Sequence, residues 1–307
     1  MIRIGNGEAP PPQIGRPVVT VGMFDGVHRG HQRVLADLEG WADELDTAAL
    51  VVTFDRHPRA MAHGETVPFI TSPEHRMVLF ERLGVDACAV LTFDEQVRRM
   101  PPREFVVEVI CGRFQAQGML LGYNGRFGRD AEGDYELLRR LEAEGVCLAR
   151  QSAEPVTVDG RPVSSSAIRG AIESGDLARA RRMLGRPVSV LGTVSRGERR
   201  GSRLGFPTAN LDLHHEVKPP AGVYVTRARV GGAWRPALTS IGRKPTFPDP
   251  PAEDVVEVFV PDLDRPLYGE SVEVRFDRKI REQIAFPSAE ELAAQIAQDL
   301  ELLRGGE

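Results

Sequence analysis

His28 and His31 stand three residues apart in the run Val21-Gly22-Met23-Phe24-Asp25-Gly26-Val27-His28-Arg29-Gly30-His31. An apolar stretch from Pro17 leads into this run, and Val34, Leu35, Leu38, Trp41 and Leu45 follow it at roughly helical spacing. The pattern predicts a loop joining a strand to a helix. With the helix starting near Arg29, the two imidazoles share its first turn. Free backbone amides and the helix dipole favour a negative ligand there. Gly26 and Gly30 remove side chains where a phosphate must approach closely. Imidazoles in that place can hydrogen-bond nucleotide phosphates and stabilise the charge that develops on leaving pyrophosphate. An attacking phosphate anion needs no general base, so the arrangement points to nucleotidyl transfer rather than hydrolysis.

Three further stretches fit the same chemistry. Thr53-Phe54-Asp55-Arg56-His57-Pro58 follows an apolar run, which places it on the carboxyl edge of a parallel sheet, where ligands bind. Gly122-Tyr123-Asn124-Gly125-Arg126-Phe127-Gly128-Arg129 brings an amide and two cations to that edge. Ser164-Ser165-Ser166-Ala167-Ile168-Arg169 supplies three hydroxyls at a helix start and an arginine on its first turn. A helix cap needs one serine, so a second phosphate cradle accounts better for three.

The second half carries a different set. The run from Gly192 to Asn210 is rich in Gly and Arg and ends in Pro207-Thr208-Ala209-Asn210. It lacks the GxxxxGK(S/T) pattern, yet Gly197, Gly201 and Gly205 allow backbone amides to wrap phosphates. Thr208 and Asn210 are two apart and share one side of an extended segment. Their oxygens suit a hard cation such as Mg2+. Glu257 interrupts the apolar run Val255–Val260. A carboxylate there is costly unless paired or used, and it can take the proton of an alcohol that attacks a phosphoryl group. An outward-facing strand residue is the competing reading.

The elements that must position these groups change character along the chain. Strands are expected at Val18–Met23, Ala48–Phe54, Ala87–Phe93, Gly118–Gly122 and Val146–Ala149. Helices are expected at His31–Leu45, Pro73–Leu83, Arg103–Phe114 and Gly133–Glu144, and another follows Ser164–Ser166. Alternation of this kind predicts a doubly wound α/β sheet. Beyond Gly185-Arg186-Pro187, short apolar runs (Val188–Val194, Val223–Val230, Trp234–Ile241, Val255–Val260, Ser271–Phe276) are separated by turn signals, the pattern of an antiparallel barrel or sandwich. A helix from Ser288 to Leu303 closes the chain. The expected domains are 1–186 and 187–307.

Composition excludes several classes. The 307 residues are 41% hydrophobic and 27% charged, with net charge -5. That balance is ordinary for a globular protein and argues against a nucleic-acid coat or an anionic-membrane binder. Cys88, Cys111 and Cys147 form no CxxC pair, so neither a disulfide frame nor a zinc knuckle is expected. Met1–Arg16 lacks the apolar core of a signal peptide and no run approaches membrane-spanning length. A cytoplasmic protein is expected.

In their order and spacing, GxFDGVHxGH, TFDxHP, GxNxxFG and SSSxIR resemble the N-terminal module of bacterial bifunctional riboflavin kinase/FAD synthetases, which is related to the HxGH nucleotidyltransferases. LGFPTAN, PxxGVY (Pro219–Tyr224), SIGxxPTF (Ser240–Phe247), VExxV and LYG (Leu267–Gly269) are similar to the riboflavin kinase module, a barrel of about six strands. Together the resemblances run from about Val18 to Leu303. They imply that Gly22, Phe24, Asp25, Gly26, His28, Gly30, His31, Asn124, Ser164, Ser165, Ser166 and Arg169 hold ATP for adenylyl transfer, with His28, His31 and Arg169 catalytic. They also imply that Phe54, His57, Asn124 and Arg126 hold FMN. In the kinase half, Gly197, Arg200, Gly201, Gly205, Phe206, Pro207, Thr208 and Asn210 would line ATP and flavin. There Thr208 and Asn210 would bind Mg2+, and Glu257 would act as base. Arg56 stands where proline is usual, Gly125 where phenylalanine is usual, Ala167 where a polar pair is usual, and Ser202 where arginine is often seen.

The implied function is phosphorylation of riboflavin to FMN, then adenylylation of FMN by ATP to give FAD and pyrophosphate. ATP is co-substrate and no tightly bound redox cofactor is required. The implied partners are riboflavin, FMN and ATP, without nucleic acid or membrane; a homo-oligomer is compatible. Two rivals are another nucleotidyltransferase with an accessory barrel and a flavin-binding regulator without catalysis. The PTAN run with Glu257 disfavours the first, and the intact histidines, Thr208, Asn210 and Glu257 disfavour the second.

Overall fold

The computed structural model describes residues 1–57, 67–152, 154–195, 205–242, 254–263 and 265–304. The chain divides into two compact units, Met1–Ser165 and Ser166–Glu307. This division falls ahead of residue 186, where the sequence changes from helix-rich to strand-rich.

Six strands build the main sheet of the first unit: β1 (Ile2–Ile4), β2 (Val18–Val21), β3 (Ala49–Phe54), β4 (Ala87–Leu91), β5 (Gly118–Leu121) and β6 (Leu148–Gln151). All pair in parallel in the order β1-β4-β3-β2-β5-β6. The sheet is covered on both faces, so β3 is buried at every position, Ala49 to Phe54. On one face α1 (Arg29–Glu44) and α2 (Pro73–Arg82) contribute Leu35, Leu38, Trp41, Met77 and Phe80 against Val18, Val51, Cys88 and Leu120. The other face packs Phe105, Val106, Ile110 and Phe114 together with α3 (Tyr135–Ala143) against Val19, Leu50, Val52, Met119 and Leu121. Trp41 lies so close to β5 that a Cβ on Gly118 would sit 2.5 Å from its ring.

Helix starts and strand ends follow local chemistry. Ser72 accepts the His75 amide and Pro73 occupies the first turn of α2. Asp134 caps α3 through Leu137 N. The expected helix at Arg103–Phe114 is a single α-turn, Pro102–Glu104, that widens into a π-helix over Phe105–Arg113. Strand β1, Ile2-Arg3-Ile4, is too short for its alternation to stand out; it pairs only with β4 among the described residues.

The second unit contains α4 (Ser165–Glu173, apart from its first residue) and α5 (Leu177–Leu184), which is capped by Asp176 and ended by Gly185 at φ 72. A hairpin in the first unit, β7 (Thr157–Val158) and β8 (Arg161–Pro162), precedes them. Strands β9 (Ser189–Ser195), β10 (Thr208–Asp212), β11 (Gly222–Val230), β12 (Ala233–Gly242), β13 (Val255–Phe259) and β14 (Ser271–Arg281) close an antiparallel barrel in the order β10-β13-β12-β11-β14-β9. The barrel interior takes alternate residues of each strand. Val190, Leu211, Ala228, Ile241, Val256, Val258, Val274 and Phe276 are buried there. The buried Thr226 and Thr239 hydroxyls satisfy each other at 2.8 Å. Helix α6 (Ala289–Arg304) docks through Arg281, whose guanidinium meets both oxygens of buried Asp299 at 2.8–3.1 Å.

Candidate active sites

Strand β2 lies between β3 and β5, where the strand order reverses, and its carboxyl end is the crevice position for a ligand in an open α/β sheet. Gly22 continues the ladder by donating to Val52 O at 3.0 Å. The chain then folds sharply. Phe24 (φ 48), Gly26 (φ 85) and Val27 (φ 38) all occupy the left-handed region, and Val27 N closes on Phe24 O at 2.9 Å. A β-branched valine in that region is strained, and burial of Phe24 and Val27 holds it there.

Hydrogen bonds from distant parts of the chain reach the turn. Asp25 Oδ1 accepts Ile70 N at 2.8 Å and Thr71 N at 3.0 Å. Thr71 Oγ1 accepts Gly26 N at 2.8 Å, and Asp25 O accepts the Ser165 hydroxyl at 2.8 Å. His28 is the N-cap of α1: its Nδ1 accepts His31 N at 3.3 Å, which puts the proton on Nε2 as a donor. The two imidazoles stack with centroids 3.5 Å apart and planes 17° apart, and Phe24 meets His31 edge-on at 5.2 Å. A Cβ on Gly30 would lie 3.1 Å from His28 Cε1, so glycine leaves room for the ring.

Phe54 ends β3, buried edge-on against Phe93 at 5.3 Å, and half-buried His57 follows three residues later. Arg76, on α2, is fully buried. Its Nη1 donates to Met23 O at 2.5 Å and Thr53 Oγ1 at 2.6 Å, and its Nη2 donates to Phe54 O at 2.8 Å.

Beyond β5, Gly122 O accepts Gly125 N at 2.8 Å in a tight turn that leaves Asn124 exposed. A Cβ on Gly125 would sit 3.1 Å from Gly122 O, a crowding that glycine avoids. Arg126 Nη1 pairs with Asp134 Oδ2 at 2.8 Å. The Leu137 amide and the Arg126 guanidinium hold the Asp134 carboxyl below the usual range. Exposed Ser164 precedes α4 and Ser165 begins it. Ser166 and half-buried Arg169 belong to the second unit.

In the barrel, Asn210, Glu257 and Ser240 stand directly opposite one another on β10, β13 and β12. Residues paired this way share a face, with Cβ atoms about 4.5–5.5 Å apart. Thr208 stands opposite Phe259 on the same face, and Phe206 packs edge-on against Phe259 at 5.7 Å. Gly205 takes φ 84 ahead of exposed Pro207 and Thr208, while Asn210 and Glu257 are half-buried. A hydroxyl, an amide and a carboxylate thus converge, an oxygen donor set that fits Mg2+ with its remaining positions left to water and phosphate. Gln283 Nε2 donates to Ser240 Oγ at 2.9 Å. Gly197, Arg200 and Gly201 lie outside the described residues.

Thr71, Arg76 and Ser240 escaped the sequence reading as site residues. Arg76 did leave a signal. Leu79 and Phe80 follow it by three and four residues, so the arginine sits on the apolar stripe of α2 where a leucine would be ordinary.

Residues 11–167 match the family model for FAD synthetase and residues 184–305 that for riboflavin kinase. The bifunctional riboflavin kinase/FMN adenylyltransferase of Haemophilus influenzae is 32% identical over 92% of this chain and 92% of its own. That of Pseudomonas fluorescens is 34% identical over 94% and 92%. A crystal structure described as a macrolide-efflux protein from Streptococcus pneumoniae superposes with TM-score 0.80 at 29% identity, covering 100% of both chains. Among the described residues of this chain no helix is long and apolar enough to cross a membrane. With both modules matched in order along one chain, the protein belongs to the bifunctional riboflavin kinase/FMN adenylyltransferase family and makes FMN from riboflavin and FAD from FMN.

Proposed function

We propose that residues 1–186 carry adenylyl transfer and residues 187–307 carry phosphoryl transfer. In the first, His28 Nε2, His31 and the opening amides of α1 hold ATP phosphates, with Ser164, Ser165, Ser166 and Arg169 as a second cradle. Gly22, Phe24, Asp25, Gly26 and Gly30 shape that loop. Phe54, His57, Asn124 and Arg126 hold FMN. An oxygen of the FMN phosphate attacks the α-phosphorus of ATP, the α–β bridging bond breaks, and the histidines and amides stabilise the departing pyrophosphate.

In the barrel, Gly197, Arg200, Gly201, Gly205, Phe206 and Pro207 line ATP and flavin, and Thr208 and Asn210 hold Mg2+. When bound, the cation offsets negative charge on the phosphates. Glu257 accepts the proton of the riboflavin ribityl 5′-hydroxyl as that oxygen attacks the γ-phosphorus, the bond from that phosphorus to the β–γ bridging oxygen breaks, and ADP leaves. The observation that carries this assignment is the Asn210–Glu257–Ser240 row, which sets a carboxylate beside the proposed cation ligands. A cytoplasmic setting belongs to the same reading.

Incubation with riboflavin, ATP and Mg2+, followed by separation of riboflavin, FMN and FAD, tests the assignment. His28→Ala should stop FAD formation while FMN accumulates. Asn210→Ala should stop FMN formation while added FMN still yields FAD. Loss of both activities from one folded variant would overturn the division.

A further inference from the structure

Arg76 is the largest fully buried side chain among the described residues. Burying a guanidinium is costly unless its donors are satisfied. Its two terminal nitrogens are satisfied here at a specific place, the divergence of β2 and β3. The two strands pair through Val21 and Val52, and Gly22 makes the last ladder bond to Val52 O. Beyond that point one chain turns into the histidine loop and the other runs toward His57. Met23 O and Phe54 O therefore lose their strand partners, and the planar fork of Arg76 takes up both. Thr53 Oγ1 closes the triangle, accepting from Arg76 at 2.6 Å and donating to Met23 O at 3.1 Å. The Phe69 ring lies under the guanidinium, 5.4 Å from its carbon.

The same helix start secures the turn itself. Ile70 and Thr71, just ahead of α2, hold Asp25 and Gly26 through the bonds described above. One short segment, Ile70 to Arg76, thus reaches both loops proposed to carry the two substrates. Adenylyl transfer requires the FMN phosphate to lie in line with the α-phosphorus of ATP. A displacement of about 1 Å can cost 10²-fold in rate.

We propose that Arg76 is a positioning residue for adenylyl transfer, its guanidinium fixing the distance between the histidine loop and the Phe54–His57 loop. This rests on the assignment of ATP to the first loop and FMN to the second. Lysine keeps the charge but offers a point donor in place of a rigid fork, so it cannot hold two diverging carbonyls in one plane.

The test uses the full-length chain carrying Arg76→Lys, and separately Thr53→Val, which deletes one corner of the triangle without a change of charge. FAD formation from supplied FMN is measured with kcat and the KM of each substrate resolved, and riboflavin phosphorylation is followed in the same samples. Arg76→Lys should lower kcat for FAD by about 10- to 100-fold, with both KM values within about threefold and FMN formation unchanged. Thr53→Val should lower kcat in the same direction by less, and it remains informative if Arg76→Lys does not fold. A folded Arg76→Lys with wild-type kcat would overturn the proposal. So would kcat unchanged in Thr53→Val, or a loss confined to KM. A wild-type enzyme that makes FAD, with His28→Ala making it at the wild-type rate, would instead overturn the substrate assignment on which the proposal stands.

Discussion

The histidine loop is held by groups far from it in sequence, whereas the barrel site is held by the ladder of which it is part. Asp25 is tied to residues 70 and 71 and accepts the hydroxyl of Ser165 through its carbonyl. Met23 is tied to Arg76. The loop that emerges from a parallel sheet has no neighbouring strand to fix it, and side chains must supply the missing partners. In the barrel, Asn210, Glu257 and Ser240 are aligned by strand pairing, and the chain runs straight through the site. The first design places strained backbone in the proposed ATP loop, at Phe24 and Val27. Neither residue of the proposed cation pair, Thr208 or Asn210, has a positive φ. Substitutions remote in sequence should therefore damage adenylyl transfer, and damage to the kinase should fall mainly on side chains that line its own site.

The largest effect is expected at Glu257. Glu257→Gln keeps the shape and hydrogen-bonding reach of the side chain but cannot take a proton. FMN formation should fall by about 10²- to 10⁴-fold, the range of a positioned general base. FAD formation from supplied FMN should remain. A kinase rate within about threefold of wild type would remove Glu257 from the proton-transfer role and leave it a strand residue.

His28→Ala should rank next. It deletes one phosphate donor and the cap of α1, and the loss of one preorganised donor costs about 10²- to 10³-fold. His28→Asn keeps a capping side chain, so the difference between the two variants separates capping from phosphate binding. Equal FAD rates in both would show that the loss comes from phosphate binding and not from the cap.

Much of this contrast could be read from the residues and some could not. The loop, its glycines and its place between β2 and α1 were legible because a strand-to-helix transition leaves a local record of spacing. Glu257 was legible as a charge in an apolar run. The ties from Thr71, Arg76 and Ser165 to the loop were not, since each joins residues about 45 to 140 positions apart and no local periodicity records them. The pairing of Asn210 with Glu257 was hidden for the same reason: register is a property of two strands, and β10 is preceded by the Gly- and Arg-rich run rather than by a recognisable strand pattern. The π-helix at Phe105–Arg113 reads from sequence as an ordinary helix, because its apolar residues satisfy either period.

Asp25→Ala should destabilise the first unit without touching the second. It removes a carboxylate that accepts two buried amides, and hydrogen bonds to charged groups are worth about 1.5–3 kcal/mol. The chain holds one tryptophan in each unit, Trp41 and Trp234. Denaturation of Trp41→Phe and Trp234→Phe backgrounds, followed by fluorescence, reads the two units separately. The expected result is an earlier transition reported by Trp41 and an unchanged one reported by Trp234. Equal shifts in both would mean that the two units unfold together, and the contrast drawn above would lose its energetic half.

The smallest effect sharpens the comparison most, because it bears on whether a tie competes with a substrate. Arg126, proposed to meet FMN, is paired with Asp134, which also caps α3 through Leu137 N. Asparagine caps a helix about as well as aspartate, so Asp134→Asn removes the charge and keeps the cap. An exposed pair of this kind is worth about 0.2–1 kcal/mol. Release of the guanidinium should then lower the KM for FMN by about 1.4- to 5-fold, with the KM for riboflavin unchanged. The folded-state pKa of Asp134 is depressed, so its contribution to stability is complete above the unfolded carboxylate pKa and is lost as pH falls through the lower folded value. Wild type and Asp134→Asn should therefore differ by a constant amount across neutral pH and converge only in acid. An unchanged KM for FMN in Asp134→Asn, together with an unchanged KM in Arg126→Ala, would assign the Arg126–Asp134 pair to the fold rather than to the flavin.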